Sequence, residues 1–263
     1  PLTPLAMAAA TAADVCFSAL PSGVLGSLID EVAAPLVIDL ADDHRAEREW
    51  VYGLPEMTRA ELAGARRVAN PGCYPTAVLL ALVPFAHEGL IEGPVIVDAL
   101  SGVSGAGKNV DESYLFASLH GSATAYGTTR HRHVPEMERG LSSFGGIETG
   151  VSFTPHLVPM ARGLLATCRA RWIGDADPNE ILRDAYAKES FVHVSASWPS
   201  TKGVAGTNRA SLHATLDVSN DLLVVSCAID NLGKGAAGQA IQNANIALGL
   251  DETLGLEGVA VWP

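Results

Sequence analysis

Cys73 stands in the run Asn70-Pro71-Gly72-Cys73-Tyr74-Pro75-Thr76-Ala77, between a short strand-like piece, Arg67-Val68-Ala69, and an apolar stretch over residues 77–90 long enough for a helix. Pro75 suits a first helical turn, where its missing N–H costs nothing, so the spacing predicts Cys73 just ahead of a helix N-terminus. Unsatisfied backbone N–H groups and the positive end of the helix dipole favour a thiolate over a thiol at such a place, and the thiolate is the attacking form. The plain alternative is a small buried hydrophobe in a strand–helix turn, the commoner fate of a lone cysteine. A second cluster is Arg130-His131-Arg132-His133, inside a segment that runs from Tyr126 to Met137. Two imidazoles and two guanidinium groups in four residues suit acid–base chemistry and anion binding. A metal site would need further ligands, and no matching Cys or carboxylate cluster accompanies the His-x-His pair; a solvated basic loop is the bland reading. A third stretch, Ser101-Gly102-Val103-Ser104-Gly105-Ala106-Gly107-Lys108, is built of small residues that let backbone N–H groups approach a ligand closely. Its spacing is not that of a Walker loop, and a surface turn is the alternative.

The octet around Cys73 resembles the active-site signature of N-acetyl-γ-glutamyl-phosphate reductases, the arginine-biosynthesis enzymes of the semialdehyde-dehydrogenase group, and further segments match the same family along nearly the whole chain. The resemblance implies an NADP-dependent reductive dephosphorylation of a small acyl phosphate through a cysteine thioester. Within it, Cys73 is the nucleophile and His131, in a His-Arg-His-x-Pro-Glu motif, its acid–base partner. His133 and Arg132 belong to the substrate pocket, and Arg162, in an Arg-Gly dipeptide, holds a substrate carboxylate or phosphate. Pro21, Ser22 and Gly23 form a cofactor-facing loop. Ser101, Gly102, Ser104 and Gly105 serve the nicotinamide and substrate pocket, and Asn231 contacts the nicotinamide amide, with a helix N-cap as its plainer role. The family's Gly-x-x-Gly-x-x-Gly turn is not found ahead of Asp14, so about 80 residues forming the first βαβ units are expected before Pro1 in the whole protein, and the connection over residues 41–50 is shorter than the family's. Two rival readings stay open: a sister reductase acting on aspartyl or aminoadipyl phosphate, and a cysteine hydrolase or acyl transferase that never uses nicotinamide.

The elements that must position these groups follow from periodicity. Apolar strands over residues 14–20 and 36–40, with a helix expected over residues 24–32 between them, argue for a doubly wound parallel sheet. A helix over residues 75–90, ending near Gly89, leads to a strand over residues 94–100. Residues 136–141 read as a short helix with Glu136 in its first turn. Residues 151–159 and 163–172, linked through Met160-Ala161-Arg162-Gly163, read as a hairpin of a second, mostly antiparallel sheet, with Cys168 in its core. A helix from Pro178 to Lys188 carries Asp177 as N-cap and Leu182, Ala185 and Tyr186 as its apolar stripe. A short strand over residues 191–194 follows. Two more strands flank the turn Ser219-Asn220-Asp221, and residues 235–248 close as a helix. The fold expected is α/β plus α+β: an incomplete Rossmann-type parallel sheet with a second domain on a mixed, largely antiparallel sheet. The domain reading places a partial dinucleotide-binding domain at residues 1–72, a catalytic and oligomerisation domain at residues 73–232, and a helix returning to the first domain at residues 233–263.

Composition narrows the classes. Of 263 residues 48% are hydrophobic, enough for a sizeable core, yet no apolar run reaches the ~20 residues of a membrane span, and the opening residues lack a secretory pattern. Cys16, Cys73, Cys168 and Cys227 are too widely spaced for a zinc or disulfide framework, which fits reduced thiols and a cytoplasmic location. A net charge of -12 argues against a nucleic-acid surface but not against a small anion met by local Arg and His. A homodimer or homotetramer is expected, with no metal and no membrane partner.

Overall fold

A computed structural model describes residues 4–107 and 111–260. The chain divides into two compact units, one made of residues 1–72 and 236–257, the other of residues 73–235 and 258–263.

The first unit opens with a short helix, α1 (Leu5–Ala9), and carries four strands, β1 (Val15–Ser18), β2 (Leu36–Asp39), β3 (Val51–Tyr52) and β4 (Arg67–Ala69), with α2 (Pro55–Leu62) between the last two. They pair in the order β1-β2-β4-β3, all parallel. Side chains alternate across a strand, and the core divides accordingly. Leu36, Ile38 and Val68 pack with Leu62, Ala240 and Ala244 on one face, while Val37 and Ala69 meet Leu25 and Trp50 on the other. Both faces are covered, as a parallel sheet requires. The helix expected over residues 24–32 is absent; two 3₁₀ turns, Leu25–Ser27 and Ile29–Glu31, stand there instead. Gly26 disfavours a continuous helix, and the Ser27 hydroxyl donates to the Val24 carbonyl at 2.8 Å, the local competition by which serine breaks helical bonding.

The second unit begins with α3 (Cys73–His87), in which every residue from Tyr74 to Ala86 is buried. A helix apolar all round belongs in a core, and α3 lies against a sheet and two further helices of its unit, described below. It ends earlier than the expected 75–90 helix, at His87, with Gly89 in the left-handed region. Pro84 lies inside it. A proline lacks the N–H that would bond the carbonyl four residues back, here that of Leu80, and the Tyr186 hydroxyl donates to that carbonyl at 2.7 Å.

Next come β5 (Ile91–Ser101), α4 (Phe116–Leu119), β6 (Thr124–Ala125), α5 (Val134–Gly145), β7 (Val151–Leu157), β8 (Leu164–Trp172), α6 (Pro178–Ala185), β9 (Val192–Val194), β10 (Ala210–Asp217) and β11 (Leu222–Ile229), before α7 (Gly238–Ala247) rejoins the first unit. Helices α5 and α6 are the two that pack on α3, beside β5, β8 and β11. The seven strands run β6-β7-β5-β8-β11-β10-β9; β7 lies parallel to β5 and β9 parallel to β10, and the other four pairings are antiparallel. The expected hairpin of residues 151–159 and 163–172 is therefore incorrect. Strands β7 and β8 run in opposite directions but β5 is inserted between them, taking hydrogen bonds from both. The hairpin of β10 and β11 around residues 218–221 is present, and Cys168 is fully buried, its thiol pushed up to about 12 by burial. Helix α6 has Asp177 as its N-cap, accepting from the Asn179 N–H at 2.8 Å, but it stops at Ala185; Leu182 and Tyr186 are buried while Ala185 is exposed, so the stripe is narrower than expected. Helix α5 starts at Val134, two residues before Glu136, with Pro135 in its first turn. A π-helical turn, Gly233–Ala237, precedes α7, which is shorter than the 235–248 helix expected.

Candidate active site

Cys73 is the first residue of α3, one step further in than the sequence places it, and half-buried. It lines a cavity of about 380 Å³ within the second unit together with Tyr74, Ser101, Gly105, His131 and Arg132. The carboxyl end of β5 brings in Ser101, and the turn between β6 and α5 brings in His131 and Arg132. The following chain packs against the cysteine directly: a Cβ built on Gly235 would lie 2.8 Å from the Cys73 Cβ, closer than two carbons can approach, and 3.2 Å from the Asp230 carbonyl. Only glycine fits there.

His131 sits among aromatic rings, edge-on to Tyr74 at 5.5 Å, to Phe153 at 5.2 Å and to His133 at 4.8 Å between centroids. The His133 backbone N–H donates to His131 Nδ1 at 3.2 Å, which leaves the ring proton of the neutral imidazole on Nε2. Burial, with the Arg132 guanidinium second, lowers its titration to about 4, so at neutral pH His131 is an uncharged donor. His133 is buried and lines the same cavity. Two phenols that spacing does not single out complete this corner: the Tyr74 and Tyr126 hydroxyls are 2.8 Å apart. Burial raises both phenols' titration, keeping them protonated hydrogen-bonding groups.

Of the remaining sequence candidates, Ser101, Gly102 and Gly105 line the cavity, whereas Ser104, Asn231 and Arg162 are not among its lining residues. The Asn231 side chain accepts from the Gly163 N–H at 2.7 Å and donates to Ser104 Oγ at 2.9 Å, tying the loop after β5 to the start of β8. Arg162 pairs with Asp230 at 3.0 Å. Burial pushes the Asp230 carboxyl up, but N–H groups of Gly206, Gly233 and Leu232, with Arg162, outweigh it and hold it below the usual range. Pro21, Ser22 and Gly23 are exposed in the first unit, on the loop after β1. The Ser22 hydroxyl donates to Asp42, and the Gly23 N–H to Asp43 at 2.7 Å. Lys108 lies outside the described residues.

Two features fit a dinucleotide. The Pro21–Gly23 loop follows the carboxyl end of a strand in a parallel sheet, where open α/β sheets take ligands. In the second unit, a Cβ on Gly105 would come within 3.2 Å of Ser101 Oγ, a tight approach that the bare backbone of the loop avoids. Among the described residues no group of three or more His, Cys, Asp or Glu is placed to hold a metal ion, and no helix is long and apolar enough to cross a membrane.

Residues 1–65 match the model of a semialdehyde dehydrogenase NAD-binding domain, and residues 73–231 that of a semialdehyde dehydrogenase dimerisation domain. A protein named N-acetyl-gamma-glutamyl-phosphate reductase from Thermoanaerobacter sp. (strain X514) is 42% identical over 275 residues, covering 95% of this chain and 80% of its own length. The proteins of that name from Bradyrhizobium sp. (strain BTAi1 / ATCC BAA-1182), 43% identical with 95% and 78% covered, and Paenarthrobacter aurescens (strain TC1), 44% identical with 94% and 80% covered, agree. The chain belongs to the N-acetyl-gamma-glutamyl-phosphate reductase family. Its fold is shared with solved structures of aspartate semialdehyde dehydrogenase II from Vibrio cholerae (TM-score 0.72, 18% identity, 89% of this chain and 79% of that chain) and of aspartate semialdehyde dehydrogenase with NADP from Candida albicans (TM-score 0.66, 17% identity, 89% and 77%). The chain spans about four-fifths of the length of these reductase relatives, and the NAD-binding match ends at residue 65, eight residues before the nucleophile candidate.

Proposed function

We infer that this chain reduces N-acetyl-glutamyl 5-phosphate to N-acetyl-glutamate 5-semialdehyde with release of phosphate, in arginine biosynthesis. The carrying observation is Cys73 at the head of a fifteen-residue helix, on the wall of a cavity that also holds His131 and Arg132. Cys73 Sγ, as thiolate, attacks the acyl carbon. Backbone N–H groups at the start of α3 stabilise the oxyanion. The carbon–oxygen bond to phosphate then breaks, leaving a thioester on Cys73. His131 Nε2–H donates a hydrogen bond to the departing phosphate, which takes its proton from solvent, and Arg132 balances its charge. A reduced nicotinamide, when bound, would supply the hydride that takes the thioester to the aldehyde level. Carbon–sulfur cleavage then returns the thiolate, with His131 unchanged as a neutral Nε2–H donor. His133 shapes the same pocket. Arg162, paired with Asp230, is read as a contact to a substrate carboxylate or phosphate.

NADP is the dinucleotide of this reading; its candidate contacts are the Pro21–Gly23 loop in the first unit and, taken separately, Ser101, Gly102, Ser104, Gly105 and Asn231 in the second. Residues 1–72 with a returning C-terminal helix act as the dinucleotide-binding part and residues 73–232 as the catalytic and oligomerisation part. A homodimer or homotetramer is the assembly, supported by the dimerisation-domain match. A cytoplasmic location is supported by four cysteines of which none forms a disulfide.

The test is direct. Mixing the chain with N-acetyl-glutamyl phosphate and NADPH should bleach the reduced-nicotinamide absorbance. Withholding the nicotinamide should leave an acyl group on the Cys73 peptide by mass spectrometry. Cys73→Ser should abolish both while the circular dichroism spectrum is retained. Turnover retained in that variant would remove the nucleophile assignment.

A further inference from the structure

A buried cluster in the first unit takes no part in the chemistry at Cys73. Asp39 ends β2 and is fully buried. One of its carboxylate oxygens accepts from the Ala41 N–H at 3.2 Å, and the other meets His44 Nδ1 at 2.7 Å. A carboxylate only accepts, so the imidazole is the donor and carries a proton on Nδ1. The His44 ring lies flat against Trp50, with 4.1 Å between centroids and 18° between planes, and both residues are buried. Arg45 extends the anchorage: its Nε donates to the Asn70 carbonyl at 2.9 Å and its Nη2 to the Leu40 carbonyl at 3.0 Å. The turn over residues 40–45 is thus held by Asp39, by Trp50 and by the residue that follows β4.

That turn presents two carboxylates to the loop after β1. Asp42 accepts from the Ser22 hydroxyl, and Asp43 accepts from the Gly23 N–H at 2.7 Å. Ser22 and Gly23 are exposed, and nothing lies within 4 Å of the place of Gly23's missing Cβ. A loop with so little packing is ordered by the bonds that reach it, and among the described residues these two are the ones that tie Ser22 and Gly23 to another segment. Exposed bonds of this kind are individually weak. They hold a loop only when the acceptors are already fixed, because ordering a mobile turn at the same time costs entropy. We propose that His44 is a positioning residue for dinucleotide binding: its bond to Asp39 and its stack on Trp50 fix the turn after β2, so that Asp42 and Asp43 hold Ser22 and Gly23 in the conformation that meets the cofactor. The assignment rests on the reading of Pro21–Gly23 as a dinucleotide contact and deepens it, by naming what shapes that loop. A loop that spends only a fraction of its time in the binding conformation weakens the apparent affinity by that fraction, so the effect falls on binding and not on the steps at Cys73.

The experiment compares two amides at one position. The amide nitrogen of Asn falls near the place of Nδ1 and that of Gln near the place of Nε2. Neither side chain has a ring, so both lose the stack and their difference isolates the bond to Asp39. NADPH binding to the whole protein is followed by the fluorescence of the bound reduced nicotinamide, with circular dichroism as the check on folding. His44→Gln should raise the Kd at least about fivefold more than His44→Asn, since a hydrogen bond to a charged group is worth roughly a factor of 10 or more. The kcat at saturating NADPH and the KM for the acyl phosphate should be unchanged in both; a merely structural loss would lower kcat through the active fraction and leave the Kd alone. Asp43→Ala should weaken NADPH binding about 3–10-fold, and adding it to His44→Gln should cost less than the product of the two, because both break one linkage. Equal Kd values for the Asn and Gln variants, or losses that multiply in full, would overturn the assignment. Asp43 is half-buried and outside the core, so an unchanged Kd in Asp43→Ala overturns it whether or not the His44 variants fold. Ser22→Trp separates the assignment from the reading it rests on. Unchanged NADPH binding in that variant removes both, whereas blocked binding there with normal binding in the His44 variants removes the assignment alone.

Discussion

At the scale of single residues, His131 and Gly235 test the site in separable ways. With Nδ1 occupied by the His133 N–H and burial lowering its titration to about 4, His131 works as a neutral Nε2–H donor at neutral pH. His131→Asn removes this donor and should lower kcat by ~10²–10³-fold. The acid limb that it controls in a kcat/KM profile should fall near pH 4 rather than near 6.5; a wild-type limb at 6.5 that survives the substitution would count against this role. Gly235 does no chemistry. Adding its missing methyl would press on the Cys73 Cβ at 2.8 Å, and relieving that overlap by a shift approaching ~1 Å costs up to about 10²-fold in rate. Gly235→Ala should therefore reduce kcat with less change in KM, a split measurable by steady-state kinetics. The nucleophile and the His-Arg-His run were legible in sequence because each is contiguous and its residue types are chemical. The Tyr74–Tyr126 hydroxyl pair was not, since 52 residues separate partners that only the fold brings within 2.8 Å. The same holds for Ser113, Ser118, Ser122 and Thr124, which read as an ordinary polar loop until the fold sets them on the cavity lining.

At the scale of elements, α3 shows how a helix can carry its own fault and have it repaired from elsewhere. Pro84 cannot bond the Leu80 carbonyl, and that group lies in a helix whose residues 74–86 are all buried. The Tyr186 hydroxyl, just past the end of α6, meets it at 2.7 Å. Tyr186→Phe should therefore leave a buried carbonyl unsatisfied and destabilise the protein by about 1–3 kcal/mol, seen as a lower urea midpoint at unchanged slope, with the Cys73 alkylation rate unaltered. A variant as stable as the parent would mean that another donor reaches Leu80. Alternating apolarity identified most strands correctly, including both partners of the β10–β11 hairpin. It failed for the pairing of β7 with β8, because periodicity reports which face of a strand is buried and says nothing of which strand lies alongside; β5, some fifty residues upstream of β7, takes the place between them. The lost helix over residues 24–32 failed for a local reason: a glycine and a serine compete with helical bonding, and Leu25, Ile29 and Val32 reach the core from 3₁₀ turns instead.

At the scale of the whole molecule, buried titratable groups couple the site to stability. His131 titrates at about 4 in the fold against 6.5 for the free side chain. As pH falls through about 6.5 the unfolded chain takes up this proton first, so stability is lost progressively down to about pH 4 and no further below it, where both states are protonated. Asp230 has the opposite sign of cause but the same direction of loss: its folded titration lies below 3.8, so its contribution is intact above that value and disappears as pH falls through the folded one. The two windows are adjacent and do not overlap, which makes them separable. Urea midpoints measured from neutral pH down to about 4 should fall more steeply for the parent chain than for His131→Gln, the difference isolating one imidazole from the seven other histidines. Half-burial of the ring and solvent screening trim the size of this slope without changing its sign. Below about pH 4 the two proteins should lose stability in parallel, since Asp230 is present in both. Parallel curves across the upper window as well would show that His131 keeps its ordinary titration in the fold, and the description of it as a neutral donor would fall with them.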